Sequence, residues 1–179
     1  MTKDMFTTRR ATPADAVLLS ALARQTFTET FGHLYAPVDL QTFLDETYAP
    51  SEIAELLSNP QLACWLAYDR DVAVGHALAG PCSLPHHDVR PEDGELKRLY
   101  LVATAHNRGW GGLLLDAALA WLERDGPRTL WLGVYSENLG AQRLYARRGF
   151  EVAGEYLFAV GNARDRELIM RRAVTPRAL

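Results

Sequence analysis

The feature that most constrains this chain is the stretch ELKRLYLVATAHNRGWGGLLLDAALAWLE, Glu95 to Glu123. Leu96 to Val102 is an apolar run of strand length, with Leu99, Tyr100 and Leu101 inside it. From Leu113 to Leu122 the apolar residues recur at helical spacing, so that Leu114, Ala117, Ala118, Trp121 and Leu122 share one face. Between them lies His106-Asn107-Arg108-Gly109-Trp110-Gly111-Gly112. A strand, a glycine-rich turn and a helix N-terminus in that order form an anion site. The first N–H groups of the helix have no partner within it, and the helix dipole favours negative charge there. Glycine lets the backbone approach a phosphate with no side chain in the way.

Two common phosphate loops are excluded. A Walker loop needs Lys and then Ser or Thr after its last glycine, and here Leu113 follows Gly112. A dinucleotide fingerprint needs G-x-G-x-x-G, which Gly109, Gly111 and Gly112 do not supply. On the loop alone, a phosphate grip and a plain connecting turn stand level.

Downstream, SENLGAQRLYARRGFEVAGE adds Asn138, Ala141, Leu144, Tyr145, Gly149 and Phe150. This spacing resembles the N-x-x-A-x-x-L/F-Y-x-x-x-G-F segment of the GNAT acyltransferases. The run from His106 through Gly109 to Gly111 resembles their Q/R-x-x-G-x-G/A loop, which grips the pyrophosphate of acetyl-coenzyme A. The resemblance covers Glu95 to Glu155 strongly and the earlier chain more weakly. It implies an α/β fold with a mixed, mostly antiparallel sheet, splayed central strands and flanking helices. Acetyl-CoA would be the co-substrate, lying in the splay. The backbone of Leu99, Tyr100 and Leu101 would pair with the pantetheine arm, since a splayed edge has free N–H and C=O groups. The residues His106, Asn107, Arg108, Gly109, Trp110, Gly111 and Gly112 would hold the pyrophosphate. His106 departs from the usual Gln or Arg, which removes a charge from a contact that is mostly backbone. Asn138 would both cap its helix and touch the pantetheine arm; a cap alone also explains it.

Acyl transfer to an amine needs a base for the amine, a stabilised oxyanion and an acid for the leaving thiolate. From its helix alone Tyr145 reads as a core aromatic; with both motifs present, the resemblance makes it the acid. Glu95 is the candidate base, at the position where histone-type members carry a glutamate. It also reads as a solvated residue paired with Lys97. Ribosomal-protein acetyltransferases place the base five residues before the capping Asn, and here that residue is Gly133. Arg108 and Arg124 are basic residues that could add charge near phosphates or be solvated. His86-His87-Asp88 lies in a proline-rich loop without helical or hairpin spacing to converge it, so no metal is expected. These three, with Phe31, His33 and Tyr35, are candidates to line the acceptor side.

The remaining elements follow from local signals. Met5 to Arg10 reads as a strand. Thr12-Pro13-Ala14-Asp15 starts a helix to about Thr30, with Thr12 as its cap. Helices follow over Val38 to Glu46 and Ser51 to Ser58. Strands follow over Gln61 to Tyr68 and Val72 to Leu78, joined by a turn at Asp69-Arg70-Asp71. A polar loop runs from Gly80 to Gly94. Thr129 to Val134 is a strand, Leu139 to Arg148 a helix, and Phe150 to Val160 and Glu167 to Arg172 a final antiparallel pair. A length of 179 residues suits a single domain with its core over about 6–173. The net charge of −3 argues against a nucleic-acid binder. With no apolar run near the ~20 residues that span a bilayer and no apolar leader, no membrane partner and a cytoplasmic location are expected. Cys64 and Cys82 sit in apolar segments and read as buried thiols.

ELKRLYLV, GVYSEN and TFTETFGHLY look most like bacterial polyamine-type N-acetyltransferases. The expectation is an acetyl-CoA-dependent N-acetyltransferase acting on a small primary amine, with a homodimer as the oligomeric option. Glu29, Asp39, Glu46 or Glu95 would then supply negative potential for a cationic acceptor. A peptide or protein N-terminal acetyltransferase and a non-catalytic acyl-CoA-binding regulator are the rival readings.

Overall fold

A computed structural model describes residues 5–174. The strands are β1 (Phe6–Arg10), β2 (Ala63–Asp69), β3 (Val72–Pro81), β4 (Gly94–Leu101), β5 (Leu130–Tyr135), β6 (Glu151–Val160) and β7 (Ala163–Arg172). The helices are α1 (Ala16–Phe31), α2 (Pro37–Tyr48), α3 (Pro50–Ser58), α4 (Trp110–Leu122) and α5 (Leu139–Ala146). Among the described residues the strands form one sheet in the order β1-β2-β3-β4-β5-β7-β6. Every pairing is antiparallel except β4 with β5. A parallel pair needs a crossover, and α4 supplies it.

The helix starts are set by short-range chemistry. Pro13, Pro37 and Pro50 occupy first-turn positions, where their missing N–H costs nothing. At the first of these starts Thr12 is the N-cap residue, as expected, and its cap bond runs through Asp15. It is the Asp15 carboxylate that accepts the Thr12 N–H at 2.8 Å, while also holding Arg9 at 2.7 Å. Asn138 caps α5 by accepting the Ala141 N–H at 3.1 Å. Gly149, with φ of 85°, ends that helix in the left-handed region that glycine tolerates.

Two apolar layers sandwich the sheet. On one face, Leu19, Leu22, Phe27 and Ile53 from α1 and α3 pack on Leu66 and Leu78. On the other, Leu114, Leu115, Ala118 and Leu122 of α4 pack on Leu96, Leu130, Leu132 and Met170. Leu115 is fully buried, so truncating such a leucine to alanine costs about 2–5 kcal/mol.

The sheet opens at its centre. β4 and β5 pair only from Gly94 with Leu130 to Leu96 with Leu132. Beyond that β4 runs on to Leu101 against β3, and β5 runs on to Tyr135 against β7. The β3–β4 register shifts at Leu78/Ala79, so that Arg98 and Leu96 have partners and Lys97 between them has none. A bulge bends its strand, and this one falls one residue past the last β4–β5 pair. It turns β4 away and leaves its far edge unpaired from Lys97 onward.

One strand is longer than the sequence suggests. β7 begins at Ala163, not Glu167, because Arg164-Asp165-Arg166 carries no apolar signal. Its exposure nevertheless alternates, with Arg164 and Arg166 outward and Asp165 and Glu167 turned inward.

Candidate active site

The splay between β4 and β5 is a cleft of about 800 Å³. One side of it is the glycine loop. Asn107 and Gly109 adopt positive φ of 61° and 78°, which folds the backbone over the start of α4. α4 begins at Trp110, three residues earlier than its apolar repeat, so the loop abuts the helix N-terminus directly. Trp110 is a core residue: its ring is buried and stacks on Phe6 at 5.1 Å, leaving the loop side to its backbone. A Cβ on Gly111 would meet only Leu101 and Leu144, both at an ordinary 3.7 Å. Packing within the protein therefore does not demand glycine there, whereas an approaching ligand would. Gly112 is different, since the Arg148 guanidinium lies 2.5 Å from where its Cβ would be.

Of the residues expected to bind cofactor, Leu99, Tyr100, Leu101, His106, Asn107, Gly109, Trp110, Gly111, Gly112 and Asn138 all border this cleft. Arg108 does not; it lies over the Trp110 ring at 4.8 Å and 3.7 Å from Asp69. His106 folds back, with Nε2 2.9 Å from the Leu101 carbonyl. A carbonyl only accepts, so that nitrogen donates. Arg124 sits at the opposite end of α4, bonded to the Trp121 carbonyl.

Tyr145 is buried on α5 and also borders the cleft. Burial, and then the Glu167 charge, raise its hydroxyl above the ordinary phenol range, so it stays protonated. Its ring packs edge-on against Phe150 at 6.3 Å.

The far side of the cleft is assembled from distant parts of the chain. Glu95 is buried, and its Oε2 accepts from Lys97 Nζ at 2.8 Å and from the Ser83 N–H at 2.8 Å. It borders the cleft, but as a carboxylate already held by an ammonium. Glu167, which the sequence does not single out, borders the cleft from β7. Tyr156 donates to its Oε2 at 2.8 Å. Burial raises its carboxyl above the ordinary range; the Tyr156 bond opposes this and Asp165 adds to it. These two groups fill the space over Gly133, where a Cβ would lie 2.8 Å from the Tyr156 hydroxyl and 3.1 Å from Glu167 Oε2.

Above them the α1–α2 connection meets the β6–β7 hairpin. The Tyr35 hydroxyl donates to Asp165, Phe43 contacts Phe158 edge-on at 5.8 Å, and Asp39 occupies the space beside Gly161. Phe31 and Tyr35 line the cleft as expected, and His33 does not. Glu29 is spent on the Ala103 N–H at 2.7 Å. Asp39 and Glu46 do not border the cleft.

His86, His87 and Asp88 require a correction. Their ligand atoms do converge, all within 4.8 Å of one another. The loop folds because His86 Nδ1 accepts the Asp88 N–H at 3.1 Å and the two imidazoles stack at 4.5 Å. The other His86 nitrogen lies 3.1 Å from the Ala153 carbonyl, and Asp88 is bonded by Arg171 at 3.0 Å. A metal there would have to displace those bonds. The cleft wall stops short of them, at Pro85.

Residues 22–150 match the acetyltransferase (GNAT) family. An uncharacterized N-acetyltransferase of Mycobacterium bovis is 33% identical over 158 residues, spanning 88% of this chain and 97% of its own. Another, from Lactobacillus delbrueckii subsp. lactis, is 29% identical over 86% of this chain and 89% of its own. Among solved structures, the PaiA N-acetyltransferase of Thermoplasma acidophilum, in complex with coenzyme A, superposes with a TM-score of 0.75 at 20% identity, covering 94% of this chain and 98% of that one. Arabidopsis thaliana NAA60, in complex with a bisubstrate analogue, gives 0.72 at 17% identity, covering 96% and 100%. The splayed sheet and the match over most of the chain agree, and the chain belongs to the GNAT family of acetyltransferases.

Proposed function

We propose that the protein transfers the acetyl group of acetyl-CoA to a primary amine on a small cationic molecule. The observation that carries the cofactor half is the coincidence of three features on one cleft wall: the unpaired edge of β4, the glycine loop at the start of α4, and the protonated Tyr145 hydroxyl. The free edge offers N–H and C=O groups to amides, and the loop offers N–H groups to phosphates. Tyr145 gives its proton to the departing sulfur, which would otherwise leave as an unprotonated thiolate. Asn138 holds α5, and so Tyr145, in place through its cap.

The acceptor half rests on the closed roof and the acids beneath it. A peptide needs a groove open along its length, whereas the Tyr35–Asp165 bond ties the α1–α2 connection to the β6–β7 hairpin. Asp165 and Glu167 border the cleft on this side and favour a cation, while the Glu95 charge is offset by Lys97 at 2.8 Å. This favours a small amine entering end-on over a peptide acceptor. Glu95, bound to Lys97 and Ser83, acts here as an anchor of the wall. The chain's two free thiols, the buried Cys64 and the partly buried Cys82, suit a reducing, cytoplasmic setting.

The test is a thermal-shift titration with acetyl-CoA followed by turnover of spermidine, putrescine, tyramine and short peptides. A ligand at a hundred times its Kd stabilises the folded state by about 2.7 kcal/mol, so millimolar acetyl-CoA should raise Tm. Turnover of the amines should fall with added salt as the attraction is screened. Turnover of peptides alone would move the acceptor to the peptide class, and the absence of any Tm shift would remove the cofactor reading.

A further inference from the structure

We propose that Glu167 is the group that takes the proton from the acceptor ammonium, an inference that rests on the acetyltransferase reading above and completes it. The placement comes from sheet register. Glu167 pairs with Tyr135 of β5 on one side and with Tyr156 of β6 on the other. Paired residues point to the same face, so these three side chains form a row along the cleft wall. The space for the carboxylate comes from Gly133. Any side chain at that position would collide with the Tyr156 hydroxyl and crowd Glu167 Oε2.

The charged and titratable surroundings leave this carboxylate able to accept a proton. Tyr156 donates one bond to Oε2, and Asp165 adds a second negative charge nearby. The Glu167 charge reaches the hydroxyls of Tyr35, Tyr100 and Tyr145, behind Asp165 at Tyr35 and Tyr48 at Tyr100, and as the one charge acting on Tyr145. None of these groups is a cation. Lys97, Arg98 and Arg147 border the same cleft, but Lys97 is paired with Glu95 at 2.8 Å, Arg98 stacks over Tyr48 at 4.9 Å, and Arg147 is exposed at the C-cap of α5. Glu95 presents the opposite case, with an ammonium and a backbone N–H on the same oxygen. Burial raises the Glu167 carboxyl, and a base works best when its pKa nears the working pH.

The step balances as follows. The ammonium gives one proton to Glu167 and its nitrogen attacks the thioester carbonyl carbon. The C–N bond forms, the C–S bond breaks, and the sulfur takes the Tyr145 proton. The second proton lost by the nitrogen returns to the tyrosinate, and Glu167 releases its own to solvent.

The test is the pH dependence of kcat/KM for the fastest of spermidine, putrescine and tyramine, with melting curves and acetyl-CoA binding measured on each variant. Glu167→Gln keeps an acceptor for Tyr156 and loses the base. It should lower kcat/KM at pH 7 by about 100-fold or more, and the deficit should shrink as pH approaches the amine's own pKa, where the amine is already neutral. Tyr156→Phe removes a bond that favours the charged carboxylate, so the acid limb should move to higher pH. Glu95→Gln should leave that limb in place. The proposal is overturned by a Glu167→Gln enzyme within threefold of wild type at pH 7, by a loss equal at every pH, by an acid limb that Tyr156→Phe does not move, or by its disappearance in Glu95→Gln. Wild-type protein that acetylates none of the three amines overturns this proposal and the small-amine reading together; active wild type with an unaffected Glu167→Gln overturns this one alone.

Discussion

The loop side of the cleft draws its wall from two short stretches, Leu99 to Gly112 and Asn138 to Tyr145. The acceptor side draws Tyr35 from the α1–α2 connection, Glu95 from β4, Tyr156 from β6 and Glu167 from β7. Tyr35 and its partner Asp165 are 130 residues apart. The loop side is thus made by local geometry: a bulge, two positive-φ residues and a helix start. The acceptor side is made by long-range packing of strands and a helical connection. A wall built locally can keep its shape while the opposite wall varies. Substitutions on the two sides should therefore separate: one set changing acetyl-CoA handling and protonation of the leaving sulfur, the other recognition and deprotonation of the amine.

The largest effect expected on the loop side is at Tyr145. Tyr145→Phe keeps the ring against Phe150 and removes the proposed proton donor. kcat should fall ~100- to 10,000-fold, with Tm and the Kd for acetyl-CoA nearly unchanged, since the hydroxyl acts mainly as charge develops on sulfur. Steady-state kinetics beside a melting curve would measure this. A folded variant with wild-type single-turnover rates would reduce Tyr145 to a core aromatic.

The next largest effect lies behind the cleft wall and concerns stability. His76 of β3 is fully enclosed, pairs across to Tyr100 and contacts Thr26 at 3.2 Å. Burial, with Arg98 adding to it, lowers its pKa from 6.5 to about 3. The unfolded chain therefore binds a proton below pH 6.5 that the folded chain refuses. Stability present above pH 6.5 is lost as pH falls toward 3, by on the order of 5 kcal/mol at the limit. His76→Gln should flatten the fall in urea midpoint between pH 7 and 4. Equal slopes in both proteins would show that other groups carry the acid sensitivity.

The same division explains what the sequence disclosed. The glycine loop, the Asn138 cap and Tyr145 are contiguous patterns whose roles depend on neighbours a few residues away, and all of them lie where the spacing puts them. Helix and strand boundaries set by Pro13, Pro50 and Gly149 were equally readable. Glu167 was not, because Arg164 to Glu167 reads as a charged turn. Only the period-two alternation of charge sign, basic outward and acidic inward, marks it as a strand. The splay depends on a bulge at Lys97, which leaves no mark in the residue string. His86 to Asp88 misled in the other direction, since consecutive residues seldom converge and here a turn closed by the Asp88 N–H brings them together.

Gly111 tests whether the loop is shaped for a ligand or for the protein. A Cβ there meets nothing closer than 3.7 Å, so Gly111→Val should fold with an unchanged Tm. If the loop backbone grips phosphates, the variant should bind acetyl-CoA about 10- to 100-fold more weakly, as expected for losing one or two charge-assisted hydrogen bonds. Isothermal titration would measure it. Unchanged affinity would return the loop to a plain connecting turn, whereas a large drop in Tm would show that glycine serves packing after all.

The smallest effect is expected at the roof, and it is the sharpest test of the division. Tyr35 stacks near Phe27 at 6.2 Å and donates its hydroxyl to Asp165. Burial first, and then this bond, raise the Tyr35 hydroxyl above the ordinary phenol range, so it remains a donor throughout the working pH range. Tyr35→Phe keeps the ring in the aromatic cluster and removes the tie between the α1–α2 connection and the β6–β7 hairpin. The tie is half-buried, and one lost hydrogen bond is worth about 1 kcal/mol. Because Asp165 regains water as the roof loosens, the cost should appear in the acceptor's fit. The expected result is a three- to tenfold rise in KM for the amine, with kcat changed less and the acetyl-CoA Kd unchanged. Longer amines should lose least, since a looser roof admits them more readily. A variant whose acetyl-CoA affinity fell while its amine KM held would show that the two sides of the cleft are mechanically one.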